Sequence, residues 1–347
     1  MKKLRKLLCI VLALLFLLIP CVNSGSLRLT KSLEGAIAPE DKEPITDYDY
    51  SMVVVGDTQI LARYYQEEFT GLYDWILENK DEKKIKFVMG MGDITDTSTE
   101  AEFNLAIENF NRLRGVIPFS FVRGNHDRIN EFNQYFPYED YKDMIDGAYI
   151  EGLMENTYQL LHVGEMKYLI LSLDFAPTDN ALAWASDVCE QHPDYNVIVT
   201  THGYLSGYGE LIDSYDEMYS PAGDNLGVDM WNEFVSKHEN IVMVLCGHVS
   251  GQRNEIIRRT DVGDNGNSVL QMVVNPQSVD YFQEPTGLVA ILYFSNEGKT
   301  IDVEYYATAT DQFFGAENQF RVNIETVASN KANQDTEHNY IANTDIG

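Results

Sequence analysis

Cysteine is scarce in this chain: there are four in 347 residues, and Cys9 and Cys21 fall within or beside an N-terminal apolar run. The other two, Cys189 in a helical pattern and Cys246 in a buried-strand pattern, supply neither a disulfide framework nor a Cys-x-x-Cys zinc site. Both read as small buried hydrophobes. Positive charge is equally short, with 25 Lys and Arg against 54 Asp and Glu and a formal charge of −29. A field of that sign repels polyanions, which sets aside long nucleic acids and anionic membrane surfaces as partners. Small phosphates stay open wherever bound cations dominate the local field. Long apolar runs are missing too: the longest, Leu7 to Ile19, falls short of the roughly 20 residues that span a bilayer comfortably.

That run has the layout of an export signal, with Lys2, Lys3, Arg5 and Lys6 before it and Pro20 and small or polar residues after it. Cleavage after Ser24 is the expected outcome, giving a secreted or cell-surface protein. A lipid anchor at Cys21 and an uncleaved anchor are the other outcomes the segment allows. Residues 25–47 are polar and carry Pro39 and Pro44, and they read as a tether. From 48 to 310 short apolar runs alternate with helical patterns, which argues for a mainly parallel sheet with covered faces. The rest, 311–347, reads as an extension with a frayed end. Hydrophobic residues make up 44% of the chain, enough for a substantial core.

The periodicity predicts a helix over about Ile60 to Asn79, with a break at Gly71. A second helix follows Thr97-Ser98-Thr99-Glu100, read as a capping box, and carries Phe103, Ile107 and Phe110 on one face. Helices near Asn180–Gln191 and Val228–His238 precede further strands. Tyr158–Val163 and Tyr168–Leu173 read as a hairpin, and later strands suggest two packed sheets. The segments Arg128–Glu151 and Tyr204–Gly227 read as surface loops beside the strand ends, where substrate choice is often set.

Five apolar runs end in residues that bind metal or phosphate. Tyr50–Val55 leads to Gly56-Asp57-Thr58-Gln59, and Lys86–Met91 to Gly92-Asp93. Ile117–Val122 leads to Arg123-Gly124-Asn125-His126-Asp127, Asn196–Thr200 to His202, and Ile241–Cys246 to Gly247-His248. Ligands collect where strands of an α/β sheet end. Asp57, Asp93, Asn125, His202 and His248 together offer hard oxygens and imidazoles without thiolates, a set suited to Mn, Fe, Zn or Ni. Asp93 can bridge two ions, and such a pair polarises a phosphoryl oxygen and acidifies a bound water for attack. His126 is placed to protonate a leaving oxygen, with Asp127 orienting its ring. His162, His192, His238 and His338 read as non-ligands. Asn275 and Gln277 either complete the site, touch substrate or form an ordinary turn, and Arg123 pairs with either a phosphate or an acidic neighbour.

In this order the motifs from about Tyr50 to Val249 resemble those of the calcineurin-like metallophosphoesterase superfamily: Asp-x-His, Gly-Asp, Gly-Asn-His-Asp/Glu, a lone His and Gly-His-x-His. The resemblance implies an α/β fold, a four-layer α/β/β/α sandwich with two mixed sheets, and a centre of two divalent metal ions. It implies that Asp57 binds the first metal, that Asp93 bridges, and that Asn125, His202 and His248 bind the second. His126 would contact the phosphate or leaving group. The expected activity is hydrolysis of small phosphomonoesters or phosphodiesters by attack of a metal-bound water. Two departures fall on the first metal: Gln59 stands where the family has His, and Ser250 replaces the last His of Gly-His-x-His. They predict a weaker first site that favours harder ions, and they motivate the alternative of a catalytically silent surface binding protein with one metal.

Overall fold

Strand β2 (Tyr50–Val55) is buried along its whole length, and its alternate residues enter different cores. Tyr50, Met52 and Val54 join the core between two sheets, while Val53 and Val55 join a core beneath helices. A strand alternates its side chains with period two, so a continuous apolar run is what burial on both faces demands. The chain is seen here as a computed structural model that describes residues 36–218, 225–251, 256–282 and 285–327. The leader, Cys21, the start of the tether and the tail after 327 lie outside the described residues.

The first sheet runs in the order β1 (Ala36–Ile37), β14 (Gln312–Phe314), β13 (Thr300–Ala307), β12 (Leu288–Ser295), β2, β3 (Ile85–Gly90) and β4 (Phe119–Phe121), with β15 (Phe320–Asn323) also on β13. The second runs β10 (Ile257–Val262), β11 (Ser268–Val273), β9 (Ile241–Cys246), β8 (Asn196–Thr200), β7 (Met166–Ser172), β6 (Thr157–Val163) and β5 (Gly147–Ala148). Both are mixed: β2, β3 and β4 are parallel, as are β7, β8, β9 and β11, and antiparallel strands flank each set. The parallel strands therefore end on common edges, and these edges carry the five polar motifs.

Helices α1 (Gln59–Tyr64), α2 (Gln66–Asn79) and α3 (Glu100–Leu113) cover the outer face of the first sheet. Next come α4 (Ile129–Tyr135) and α5 (Tyr138–Tyr141), then α6 (Asp179–Gln191), α7 (Tyr215–Met218), α8 (Gly227–Glu233) and α9 (Gln277–Phe282). Residues of α6 and α8 pack on the outer face of the second sheet. This is the four-layer sandwich expected from the motifs.

Some boundaries differ from the sequence expectations. The long first helix breaks at Tyr65, not Gly71, whose side-chain position faces open space. The capping box of α3 is Thr99 with Glu102, not Glu100. The segment 128–151 is no solvated loop, because Phe132, Phe136 and Tyr141 are buried against Phe121. The tether joins the domain from Ala36, which pairs with Phe314, and Lys42 forms an ion pair with Glu304. The domain also continues beyond 310, since β14 and β15 both pair with β13. Cys189 and Cys246 are buried free thiols.

Between the sheets, the hydroxyls of Tyr50 and Tyr168 meet at 2.6 Å in a buried setting. Deleting one leaves the other unsatisfied, a cost of about 1–3 kcal/mol, whereas deleting both removes the need. Tyr50→Phe or Tyr168→Phe alone should therefore lower urea-unfolding stability by about that amount, and the double variant should recover most of the loss.

Candidate metal centre

Asp93 follows β3 with φ of 46°, and His248 follows β9 with φ of 72°. Left-handed backbone at residues other than glycine is uncommon and clusters where a side chain must be aimed. The neighbouring glycines answer to crowding. A Cβ at Gly124 would lie 2.2 Å from the Asp93 backbone nitrogen and carboxylate, and one at Gly247 would lie 2.2 Å from an Asp57 oxygen. The glycines of Gly-Asn-His-Asp and Gly-His thus let two loops close on two buried carboxylates.

At this point the sheets converge. His202 Nδ1 donates to the Met91 carbonyl at 2.7 Å, which leaves the lone pair on Nε2. That Nε2 lies 3.0 Å from Asn125 Oδ1 and 3.2 Å from Asp93 Oδ1. His248 is set the same way: Nε2 reaches the Glu217 carbonyl at 3.2 Å, and Nδ1 faces Asn125 Oδ1 at 2.9 Å. With both rings so oriented, imidazole lone pairs, an amide oxygen and a carboxylate oxygen point at one another. Acceptors do not satisfy acceptors; a cation does, a proton on His202 in the metal-free protein or a metal ion in its place. Spacings near 3 Å are also what neighbouring ligands of an ion with bonds of about 2.1 Å would show. Asp57, Asp93 and His202 likewise place ligand atoms within 4.8 Å of one another.

The charges bear the mark of this crowding. Burial pushes the Asp57 carboxyl well up, and Asp93 adds to the rise against the pull of His202. Burial works on Asp93 as well, but His202 and His126 outweigh it and hold that carboxyl below its usual range. Burial lowers His202, yet Asp93 and Asp57 carry it to about 9, whereas burial and His202 together push His248 down to about 4.

The first-metal side is built differently. Asp57 is wholly buried and accepts from the His248 backbone N–H and from Asn275 Nδ2, the latter at 2.8 Å. Asn275 Oδ1 in turn accepts from the Gln277 N–H at 2.8 Å. Asn275 therefore steers a carboxylate. Gln59 is buried at the start of α1, and neither amide atom finds a hydrogen-bond partner among the described residues. An orphaned carbonyl oxygen on a residue that lines the same cleft as Asp93 suits a hard cation, so the donors present fit a metal on this side too. Ser250 Oγ turns to the Asn275 carbonyl at 3.5 Å.

His126 lines a cleft of about 610 Å³ together with Gln59, Asp93, Asn125 and His248. Its backbone N–H donates to Asp93 Oδ1 at 2.9 Å, and its Nδ1 contacts the Asp96 carbonyl at 2.8 Å. The ring is thus oriented by Asp96, whose carboxylate lies 3.4 Å away and also pairs with Arg63. This corrects the expectation that Asp127 does so. The Asp127 carboxylate accepts from the backbone N–H groups of Ile94, Thr95 and Gly124 and from the Thr95 hydroxyl. It ties the Asp93 loop to the Asn125 loop, and burial with the nearby Asp93 charge raises it to about 6. Asp96 carried a sequence signal only in standing three residues after Asp93.

Arg123 pairs with Asp174 at 2.7 and 3.0 Å, which settles its alternatives in favour of the acidic neighbour. His162 bonds the Tyr195 hydroxyl, His192 the Val188 carbonyl, and His238 packs on Phe234; His338 lies outside the described residues. Among its described residues, the segment 204–227 reaches His248 with the Glu217 carbonyl on α7.

Comparison with known proteins agrees with this geometry. Residues 50–251 match the model of the calcineurin-like phosphoesterase family. The uncharacterized protein YvnB of Bacillus subtilis is 28% identical over 291 residues, covering 80% of this chain and 21% of its own length, so the chain spans about a fifth of that relative. A dimetal phosphatase from Danio rerio superposes with a TM-score of 0.50 at 12% identity, over 80% of this chain and 100% of that one. A purple acid phosphatase from yellow lupin seeds gives 0.51 at 13%, over 81% and 55%. At such identities the two structures speak for the fold alone. The family match runs over more than half of the chain, from β2 to the loop after His248, and takes in Asp57, Asp93, Asn125, His202 and His248: the chain belongs to the calcineurin-like phosphoesterase family.

Proposed function

We propose that the chain is an exported, metal-dependent hydrolase of small phosphate esters. The observation that carries the reading is the convergence of two imidazole nitrogens, an amide oxygen and a carboxylate oxygen from both sheets on one point beside His126. Asp93, Asn125, His202 and His248 would hold one ion, and Asp57, Asp93 and Gln59 the other. The first set mixes nitrogen and oxygen and suits Mn, Fe, Zn or Ni; the second is all oxygen, binds more weakly and favours a harder ion. Divalent ions there supply Lewis acidity, countering charge on the phosphoryl oxygens and acidifying water for attack.

The protein's own part is positional. Met91 and Glu217 carbonyls fix the two imidazole tautomers. Asn275 and the His248 N–H hold the Asp57 carboxylate. The Asp96 carbonyl accepts a hydrogen bond from Nδ1–H of His126, so the other ring nitrogen, Nε2, is the one that hands a proton to the departing oxygen. Arg63 pairs with the Asp96 carboxylate, which lies 3.4 Å from the ring.

Three outcomes test the reading. His126→Ala should lower kcat by about 10²–10⁴ while elemental analysis finds metal content unchanged; Asp93→Asn should lose metal and activity together. Survival of full activity in both variants would sink the mechanism. His202 is protonated below about 9 in the metal-free protein, so a metal must displace that proton. Calorimetric metal affinity should therefore climb with pH, by about tenfold per unit for one displaced proton, and level off above that value. Export is supported by the layout of residues 2–24, and N-terminal sequencing of the protein from the medium or cell surface should start at Gly25, or at a modified Cys21 if a lipid anchor is made.

A further inference from the structure

The cleft wall around the centre is made of amides and hydroxyls: Gln59, Asn125, Ser250, Gln277 and Ser278. Among the described residues no Lys or Arg lines it. Among the described residues, Arg123 is committed to Asp174 in a two-bonded pair, Arg63 to Asp96 and Arg128 to Glu131. The lining also includes the Asp93 carboxylate, which His202 and His126 hold below its usual range against the effect of burial. The wall is also held in fixed relation to the centre. Asn275 donates to Asp57 with its nitrogen and accepts the Gln277 N–H with its oxygen, both at 2.8 Å, so the start of α9 is tied to a metal-site carboxylate.

Such a wall treats the two classes of phosphate ester differently. A monoester bears close to two negative charges at neutral pH, because its second pKa is near 6. A diester bears one, and its second arm presents ester and substituent oxygens where the monoester has a charged oxygen. Ions in the centre can counter charge on the oxygens they touch, but the described residues of the wall supply no cation for an additional one. Amides and hydroxyls are instead suited to hydrogen-bond an uncharged polar arm.

Resting on the hydrolase reading above, we propose that this centre acts on phosphodiesters whose second arm is uncharged and carries hydroxyl groups, and that Gln277 and Ser278 recognise that arm. In the reaction the water oxygen bonds to phosphorus as the bond to the leaving oxygen breaks. The leaving oxygen takes a proton from His126, which recovers one from the water. The products are an alcohol and a phosphomonoester that bears the additional charge the wall does not counter, which favours its release.

The test compares p-nitrophenyl phosphate, methyl p-nitrophenyl phosphate and glyceryl p-nitrophenyl phosphate, all with one leaving group, on the full chain loaded with Mn²⁺ and with metal content measured. Both diesters should exceed the monoester in kcat/KM by roughly tenfold or more, as one uncompensated charge at close range implies. The glyceryl arm should lower KM about threefold relative to methyl, and Gln277→Ala with Ser278→Ala should erase that difference. Gln277→Lys, at a half-buried position that tolerates the change, should narrow the gap between monoester and diester by roughly fivefold through the monoester's KM. Equal or better turnover of the monoester would overturn the substrate class and leave the hydrolase reading standing. No turnover of any of the three by a fully metallated chain would overturn both. A Gln277→Lys variant with an unchanged ratio would remove the wall as the source of the discrimination.

Discussion

The hydrogen bond from His202 to the Met91 carbonyl holds the site's geometry together. It crosses from one sheet to the other, 111 residues apart in sequence, and it is 2.7 Å long and wholly buried. Its effect is double. It docks the end of β8 against the end of β3, so that the edges of the two sheets stay in register. It also assigns the proton on the ring to Nδ1, which turns Nε2 toward Asp93 and Asn125 as an acceptor. If the sheets slid by one residue, side chains would exchange faces along each shifted strand. The core between the sheets, from Met52 and Phe87 to Ile198 and Leu245, resists that slip over its whole area. Stability and site geometry are therefore the same constraint seen at different depths.

Around that bond the protein accepts unfavourable local states. Asp93 and His248 sit in left-handed backbone, and Asp57, Asp93 and Asp127 are carboxylates with almost no exposure. Each would be costly alone. The three carboxylates meet the cost in different ways. Asp127 is compensated by backbone N–H groups and a hydroxyl, donors supplied by the loops it joins. Asp57 has two donors, and Asp93 accepts from the His126 N–H and faces the ring of His202. The group with a full shell of protein donors is structural, and those left with room are the ones a cation can complete.

That distinction also explains what the sequence could and could not disclose. Asp57, Asp93, Asn125, His202 and His248 were legible because each follows an apolar run, and parallel strands must end on a common edge. Gln59 and Ser250 were legible as departures from a motif. The choice between Asp96 and Asp127 as partner of His126 was not legible. Adjacency along the chain favoured Asp127, but the tight turn of Gly124 to Asp127 swings that carboxylate back onto the Ile94 and Thr95 amides. The contacts of Met91 and Glu217 were invisible for another reason: they use backbone carbonyls, which any residue provides. The short strands β1, β14 and β15 were missed because two to four residues cannot establish a period.

The formal charge of −29 looks hostile to a phosphate-binding site, yet the two act over different distances. Charges at the surface are screened over about 8 Å in physiological salt, so the acidic field weakens a long anion that must lie across many of them. A small ester in the cleft meets mainly what lines it: uncharged amides and hydroxyls, one ionisable ring at His126, and the ligand cluster. On the proposed reading, selection against polyanions would be a property of the whole surface, and selection among small esters a property of a few side chains. Substitutions in the cleft wall should move the second without touching the first, and changes of surface charge should do the reverse.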